Sequence, residues 1–299
     1  MLQILANAVA LGAAYALVAL GFVLVVNATG AVNFAQGDMV MAGGFVAVAL
    51  AGVWPVPGIV LLPLVLAVMV GLGLLLSLVA YFPLRNRPPA AVFISTIAAG
   101  IMLQNGANAI FGAEPRTAPA LVGGGGVPLG PVSLSAQALA IIAVAAVLIA
   151  GQHVLFMHTA LGRQLRATAQ DREMAEAIGI DSRKMIALTF ALAAALAGAA
   201  GLLLANSFFV TPADGTSYML KAYIAVTIGG WGSIAGALAG AMLIALFEVV
   251  LPSLPLLIPG LSGWLFSQTA ATIILYIVLL AVLFFRPRGL FGEPVLRRA

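Results

Sequence analysis

Long apolar runs, separated by short polar or Pro- and Gly-rich breaks, occupy almost the whole sequence. Eight runs reach about 18 residues or more, the length that an α-helix needs to cross a hydrocarbon core of roughly 30 Å. The predicted membrane helices cover residues 3–26, 33–50, 58–82, 91–111, 136–157, 186–208, 232–250 and 264–285. A further apolar piece at 218–228 is too short to cross a bilayer alone.

The breaks between these runs contain the residues that turns require. They lie at residues 53–58, 85–89, 112–131 and 251–260 and are rich in Pro and Gly. We therefore predict an all-α, polytopic membrane protein with about eight transmembrane helices plus a short re-entrant or broken segment. Residues 1–299 are expected to form one membrane domain. The first span is expected to be retained, because its apolar stretch continues to Val26 and no basic region precedes it.

The composition supports a location in a bilayer and narrows the chemistry. The chain is 63% hydrophobic and 7% charged, which leaves too little polar surface for a water-soluble globule. The basic residues lie at the ends of apolar runs, so we predict no nucleic-acid partner in spite of the formal charge of +4. No cysteine is present, and His153 and His158 lie together near one helix end. We predict no metal site.

One polar segment, "GRQLRATAQDREMAEAIGIDSRKM" at residues 162–185, departs from this pattern because it holds nine of the 22 Asp, Glu, Lys and Arg residues. Five polar residues recur in it at helical spacing, namely Arg163, Arg166, Gln170, Glu173 and Glu176. The opposite face of the same helix would carry Leu161, Leu165, Thr168 and Ala175. We predict a short helix that ends at Gly179 and lies between two spans. The alternative is a solvated loop whose basic residues only set the orientation of the chain in the membrane. The four acidic residues of the segment are not needed for that role.

The distribution of basic residues predicts the orientation. If the loop at 85–89 is cytoplasmic, eleven of the thirteen Lys and Arg residues face the cytoplasm, with the N-terminus outside and the C-terminus inside. The two exceptions are Arg116 and Lys221. For the number of membrane crossings to bring the C-terminus inside, residues 218–250 must enter the membrane from outside and return to the same side. They would do so as a hairpin that turns at Gly229, Gly230 and Gly232.

A few polar residues lie inside the predicted spans. The start of the second span contains Asn33, Gln36 and Asp38, and we include the adjacent Phe34 with them. The fourth span contains Gln104 and Asn105. Such residues have two possible roles. They line a translocation path or gate, or they are structural, at the N-terminus of a helix or in hydrogen bonds between helices. Glu248 is expected at an interface or paired with another helix. Two ladders of small residues predict close helix contacts: Gly232, Gly236 and Gly240, and Ala193, Ala197 and Gly201.

Five stretches of the sequence resemble one family. The first is "GRQLRATAQDREMAEAIGIDSRKMIALTFALAAALAGAAGLL", which is similar to the cytoplasmic coupling loop and following helix of bacterial branched-chain amino acid ABC transporter permeases. The other four follow the same family pattern in order: "YALVALGFVLVVNATGAVNFAQGDMVMAGGF", "ISTIAAGIMLQN", "IGGWGSIAGALAG" and "FRPRGLFG". The resemblance covers essentially the whole chain and implies a multi-pass permease of the bacterial inner membrane.

The resemblance also implies how such a permease works. Residues 159–185 would form a coupling loop that docks on a separate ATP-hydrolysing subunit, through Arg163, Arg166, Asp171, Glu173, Ala175, Glu176, Gly179 and Asp181. ATP and Mg²⁺ would bind to that partner and no cofactor to this chain, which contains no G-x-x-x-x-G-K-[ST] motif and is not an enzyme. The expected assembly contains a second, related permease subunit, two ATP-binding subunits and a periplasmic solute-binding protein within membrane lipid.

Two other function classes are compatible with parts of the sequence. An autonomous ion-coupled transporter of small zwitterionic solutes would use Asp38, Glu248 and the glycine hairpin, but it needs no mixed-charge coupling loop. An intramembrane enzyme would need a nucleophile and base or metal ligands on facing helices, and two histidines at one boundary do not provide them. The preferred interpretation, import of branched-chain or related amino acids, is what the family resemblance implies. The candidate path residues add a weaker argument, because most of them are neutral hydrogen-bonding groups that could pass a zwitterion.

Overall fold

The computed structural model describes residues 2–123, 125–129, 132–258, 263–286 and 289–290. Eleven α-helices and one β-hairpin occur in this part of the chain. In order they are α1 (Leu2–Thr29), α2 (Gln36–Val53), α3 (Gly58–Leu76), α4 (Pro89–Phe111), β1 (Gly126–Leu129), β2 (Val132–Ser135), α5 (Ala136–His158), α6 (Ala160–Gln170), α7 (Arg172–Ala177), α8 (Ser182–Ser207), α9 (Asp214–Gly229), α10 (Ile234–Leu257) and α11 (Gln268–Phe285).

The all-α, eight-span prediction is confirmed. In the described residues, eight helical segments are long and apolar enough to cross a membrane: α1, α2, the segment Gly58–Leu84, α4, α5, α8, α10 and α11. The short apolar piece predicted at 218–228 is the central part of α9, which contains 16 residues and connects to α10 by a tight turn. The length of the apolar runs therefore located every span found among the described residues.

The third span changes its helical pitch before it ends. After α3 the chain forms a π-helix over Ser77–Tyr81 and a 3-10 turn over Phe82–Leu84. Pro83 has no backbone N–H to continue the α-helical ladder, which accounts for the change near this point. The irregular turn leads directly to Arg85 at the end of the span.

Two loops predicted from Pro and Gly are partly wrong. α10 continues through Pro252 and Pro255 to Leu257, where a break was expected to begin at residue 251. Transmembrane helices contain proline more often than soluble helices do. Between the two prolines of α10, the Ser253 hydroxyl donates to the Val249 carbonyl at 2.7 Å. The stretch predicted as loop between 112 and 131 contains strand β1, which pairs antiparallel with β2 from Gly126↔Ser135 to Leu129↔Val132.

The core of the bundle is built around α1 and α8. Both helices are buried along most of their length, and their surfaces are apolar on all sides. α8 packs against α1, α2 and α3, while α1 also packs against α10 and α5. The peripheral helices α4, α5 and α11 keep one exposed face each.

Small residues allow the backbones of α2 and α8 to approach closely. A Cβ atom at Gly43 would overlap the backbone of Gly198, and one at Gly201 would overlap the Val40 carbonyl. The predicted Ala193, Ala197 and Gly201 ladder thus lies in the core, and helix packing of this kind is the main attraction between helices in lipid.

Candidate functional site

The polar connection, residues 159–185, joins α5 to α8 and contains two helices instead of the single helix expected. Thr159 caps the start of α6, since its hydroxyl oxygen accepts from the Gly162 N–H at 3.0 Å. The ladder breaks at Asp171, which has extended backbone angles and caps α7 by accepting from the Met174 N–H at 3.0 Å. An aspartate is a strong N-cap, so its local bond competes with a continuous helix.

One face of the polar connection packs against the rest of the protein. Leu165, Thr168 and Ala175 are buried, as their spacing predicts. Leu161 was expected on the same face but is 38% exposed. Ala175 therefore contacts its own chain and is not available at the outer surface.

The opposite face carries the charged residues into solvent. Arg163, Gln170, Glu173 and Glu176 are exposed, and Arg166 is half-buried. Glu176 accepts a bond from the Arg172 guanidinium at 3.2 Å, an i,i+4 pair that adds only a few tenths of a kcal/mol. The residues of the predicted polar stripe are thus exposed or half-buried although the helix is broken.

The end of α7 is a glycine-dependent cap. The Ile180 N–H donates to the Ala175 carbonyl at 2.9 Å and the Gly179 N–H to the Glu176 carbonyl at 3.0 Å, the two bonds of a Schellman motif. Gly179 has φ +87°, a conformation that other residues adopt at a cost. Asp181 then caps α8, and donation from the backbone N–H of Lys184 lowers the pKa of the Asp181 carboxyl.

Two exposed apolar side chains lie beside this cap. Met174 is 62% and Ile178 68% exposed, and they lie one helical turn apart with the exposed Ala177 between them. We refer to Met174, Ala177 and Ile178 as the apolar tip. These three residues were not predicted as a contact surface, although their i, i+3, i+4 spacing is visible in the sequence.

The polar residues at the start of α2 are buried inside the chain. Asn33 Nδ2 lies 3.5 Å from Gln36 Oε1, and Gln36 Nε2 donates to the Ala193 carbonyl of α8 at 3.1 Å. The Phe34 N–H donates to the Thr96 hydroxyl at 3.1 Å, and its ring packs edge-on against Phe93. These groups hold the start of α2 between α4 and α8.

Asp38 and Gln104, separated by 66 residues in the sequence, meet in the membrane domain. Gln104 Nε2 donates to Asp38 Oδ1 at 2.7 Å and lies 3.4 Å from the Thr216 hydroxyl in the first turn of α9. A Cβ atom at Gly100 or Gly215 would overlap the Asp38 carboxylate, so both glycines make room for it. The nearby N-terminus of α9 favours the negative charge.

Asn105, predicted with Gln104, faces outward. Its side chain is exposed and donates to the Ile101 carbonyl at 2.8 Å, and Asn108 one turn later is also exposed. Amide side chains within a membrane span are unfavourable against lipid and favourable against a partner helix or water. This face of α4 is therefore a candidate for either contact.

The glycine hairpin between α9 and α10 is a tight turn at which the two helices touch. Gly230 and Gly232 have φ +119° and +81°, and the Asn27 amide donates to the Gly232 carbonyl at 3.1 Å. A Cβ atom at Gly229 would overlap the Gly236 carbonyl. The predicted turn is confirmed, and it lies beside the end of α1.

A charged cluster joins three helices in the interior. Lys221 Nζ lies 2.7 Å from Glu248 Oε1 and donates to the Tyr15 hydroxyl at 2.6 Å, while that hydroxyl donates to Glu248 Oε2 at 3.0 Å. Gln268 at the start of α11 adds a 3.1 Å bond to Glu248. The ion pair faces a cavity of about 630 Å³. The expectation that Glu248 is paired with another helix is confirmed.

Sequence reasoning did not identify the partners in this cluster. Lys221 was visible as an exception to the orientation rule, which is a signal for an intramembrane charge with a partner. Tyr15 gave no signal, because one tyrosine in an apolar run is unremarkable until the fold brings it to Glu248.

A metal site is not indicated in the described part of the chain. No group of three or more His, Cys, Asp or Glu residues is close enough there to hold an ion. The rings of His153 and His158 are 6.4 Å apart near the end of α5.

Comparison with known proteins gives full-length matches. Residues 4–283 match the family described as "Branched-chain amino acid transport system / permease component". The chain is 31% identical to the high-affinity branched-chain amino acid transport system permease protein BraD of Pseudomonas aeruginosa and 31% identical to LivH of Escherichia coli, covering 98% of this chain and 96% of each relative. It is 27% identical to a probable branched-chain amino acid transport permease protein of Methanocaldococcus jannaschii, over 92% of this chain and 88% of the relative.

We expect the loss of one partner of the ion pair to destabilise the protein more than the loss of both charges. Lys221→Met leaves the Glu248 carboxylate without its cation and should lower the free energy of unfolding by about 3–5 kcal/mol. Adding Glu248→Gln to that variant removes the uncompensated charge and should recover more than half of the loss. Denaturant-induced unfolding in detergent micelles measures both changes. Arg172→Met, which breaks an exposed pair, is the control and should cost less than about 1 kcal/mol; equal losses for Lys221→Met and Arg172→Met would contradict the interpretation.

Proposed function

Because this chain belongs to the family of permease components of branched-chain amino acid transport systems, we propose that it forms part of the membrane path of an ATP-driven importer of small amino acids. Family membership makes the chain a non-catalytic, multi-span membrane transport subunit, and it favours this function over an autonomous ion-coupled transporter. The observation that carries the proposal is the polar connection: two short helices, anchored on one face and exposed on the other, in a chain without a nucleotide-binding motif.

ATP hydrolysis on a partner subunit would drive this chain through contacts with the polar connection. Arg163, Arg166, Glu173 and Glu176 would set the register on an ATP-binding subunit, and the apolar tip would fill a recess on that partner. Four residues would act by shaping the surface: Asp171 and Asp181 cap helices, Ala175 packs against the core, and Gly179 provides the turn. ATP and Mg²⁺ would bind to the partner.

The path would run along the exposed amide face of α4. Gln104 and Asn105 would contact solute or water, with Asp38 holding Gln104 in place from behind. Asn33, Phe34 and Gln36 would support that wall by fixing α2 against its neighbours. The hairpin at Gly229, Gly230 and Gly232 would be the gate element, because tight turns with positive φ concentrate a backbone change in a few residues.

The assembly and substrate follow from the family resemblance. We propose a second, related permease subunit, two ATP-binding subunits and a periplasmic binding protein that delivers aliphatic L-amino acids. A path of mostly neutral hydrogen-bonding groups would pass a zwitterion without retaining it, so selectivity would lie largely with the binding protein. The proposed orientation places the N-terminus and residues 112–123 outside, and the polar connection inside. Most of the predicted cytoplasmic C-terminal tail lies outside the described residues.

Cysteine accessibility tests the orientation, because the chain has no native cysteine. Thr117→Cys and Gln164→Cys both introduce an exposed thiol, on the outer loop and on α6 respectively. In intact spheroplasts, a membrane-impermeant maleimide should label the first variant and should label the second only after permeabilisation. The reverse pattern would invert the proposed topology.

Charge placed on the apolar tip should uncouple the complex. Ile178→Glu adds a carboxylate to a side chain that is exposed in this chain, so abundance should be unchanged while substrate-stimulated ATP hydrolysis falls by about tenfold or more. Gln164→Glu adds the same charge at another exposed position of the connection and should leave hydrolysis intact.

The turn at Gly179 gives a second test of the same surface. Gly179→Asn should retain activity because Asn tolerates positive φ, whereas Gly179→Arg should lose activity. Full activity of Ile178→Glu and Gly179→Arg at normal abundance would refute coupling through this surface.

Uptake by the reconstituted complex with its cognate binding protein tests the substrate class. We expect uptake of leucine, isoleucine and valine, with alanine and glutamine as a permitted extension. Ribose and urea serve as non-zwitterionic controls of similar or smaller size. Transport of ribose or urea without any amino acid would reject the proposed substrate class, although it would leave the permease assignment intact.

A further inference from the structure

A basic pocket lies where the third and sixth spans reach the membrane boundary. The cavity has a volume of about 550 Å³, and its polar lining consists of Arg85, Asn86, Arg183 and Lys184. Leu78 and Phe82 form part of its apolar wall. Arg85 follows the end of the segment Gly58–Leu84, and Arg183 and Lys184 are in the first turn of α8. The pocket is therefore at the level of lipid headgroups in either orientation of the chain.

The charge of this pocket is largely uncompensated. None of the residues that line it is acidic. Lys184 pairs with Asp181 at 3.2 Å, but the two side chains are 77% and 48% exposed, so water screens that pair and competes with it. Three cations around one cavity attract an anion with several acceptor oxygens, such as a phosphodiester.

An apolar surface continues from the pocket into the membrane. Leu75, Leu78 and Val79 lie on one face of the third span and are 56%, 60% and 63% exposed. A ligand that joins an anionic group to long apolar chains would satisfy both the pocket and this surface. Free phosphate would use only the pocket.

We propose that this basic pocket binds the headgroup of an anionic phospholipid, with its acyl chains along Leu75, Leu78 and Val79. Basic pockets between transmembrane helices at the boundary are known to select anionic headgroups. A zwitterionic lipid carries an ammonium group that Arg85 and Arg183 would repel, so net negative charge should decide selection. The site lies apart from the proposed path on α4, and its occupancy does not depend on transport activity.

Native mass spectrometry of the purified full chain tests the proposal with two probes of identical acyl chains, phosphatidylglycerol and phosphatidylcholine. We expect phosphatidylglycerol to bind at least about tenfold more tightly. Each lost cation should weaken its binding about fivefold, which corresponds to about 1 kcal/mol per basic residue near a membrane surface. The test variants are Arg85→Gln, Arg183→Gln, Lys184→Gln and the triple variant.

Arg87→Gln is the matched control, because Arg87 is exposed in the same loop but does not line the pocket. It should bind phosphatidylglycerol like the unaltered chain. Arg85→Lys keeps the charge and should retain most of the binding, which separates loss of charge from a folding defect. Glycerol 3-phosphate at the same concentration should not displace the lipid, because it lacks acyl chains.

Four results would overturn the proposal. The first is equal binding of the two lipids. The second is an equal loss in Arg87→Gln and in the pocket variants. The third is displacement of the lipid by glycerol 3-phosphate. The fourth is unchanged phosphatidylglycerol binding in the triple variant together with loss of a co-purified ATP-binding subunit, which would assign the pocket to a protein partner instead.

Discussion

A backbone inside hydrocarbon has to make its hydrogen bonds within the protein, and the architecture of this chain depends on that constraint. It explains why the described spans are helices and why the only strand pair among the described residues, β1–β2, lies in the connection after α4. Helices that satisfy their own backbones then need close contact to associate, and the glycines of α2 and α8 permit it.

The same constraint applies to side chains and accounts for the polar clusters. Asp38 is held by Gln104 and lies between two glycines, and Glu248 is held by Lys221, Tyr15 and Gln268. Each cluster connects helices that are distant in sequence, so each fixes the position of a helix as well as a charge. Inside a low-dielectric core an unpaired charge is costly, which makes these clusters specific as well as stabilising. In the proposed permease, they keep the wall of the path in position while α4 remains accessible from outside.

A division between a packed core and an exposed polar connection is suited to a subunit that is driven by another protein. The connection is fixed to the core through Leu165, Thr168 and Ala175, so a push on its outer face would be transmitted to α5 and α8. Its helix ends are defined by Asp171, Gly179 and Asp181 and do not rely on partner contacts. The surface offered to a partner is therefore preorganised, which reduces the entropy lost on docking.

The sequence alone determined the number and place of the spans, the glycine hairpin, the amphipathic polar connection and the family. The length of an apolar run, the spacing of polar residues, the turn residues and the order of motifs are all properties that can be read along the chain. The sequence also identified Asp38 and Gln104 as polar residues in a span, but not their contact. The spacing in the sequence predicted that Ala175 is buried. Only the tertiary structure showed that α6 and α7 are separate helices and that the apolar side chains of Met174 and Ile178 are exposed, because composition alone would favour burial of those two side chains. Only the fold brought Tyr15 to Lys221 and Glu248, and Arg85 to Arg183, because contacts between residues some 100 to 200 positions apart depend on how the helices pack, and no local pattern in the sequence specifies that packing.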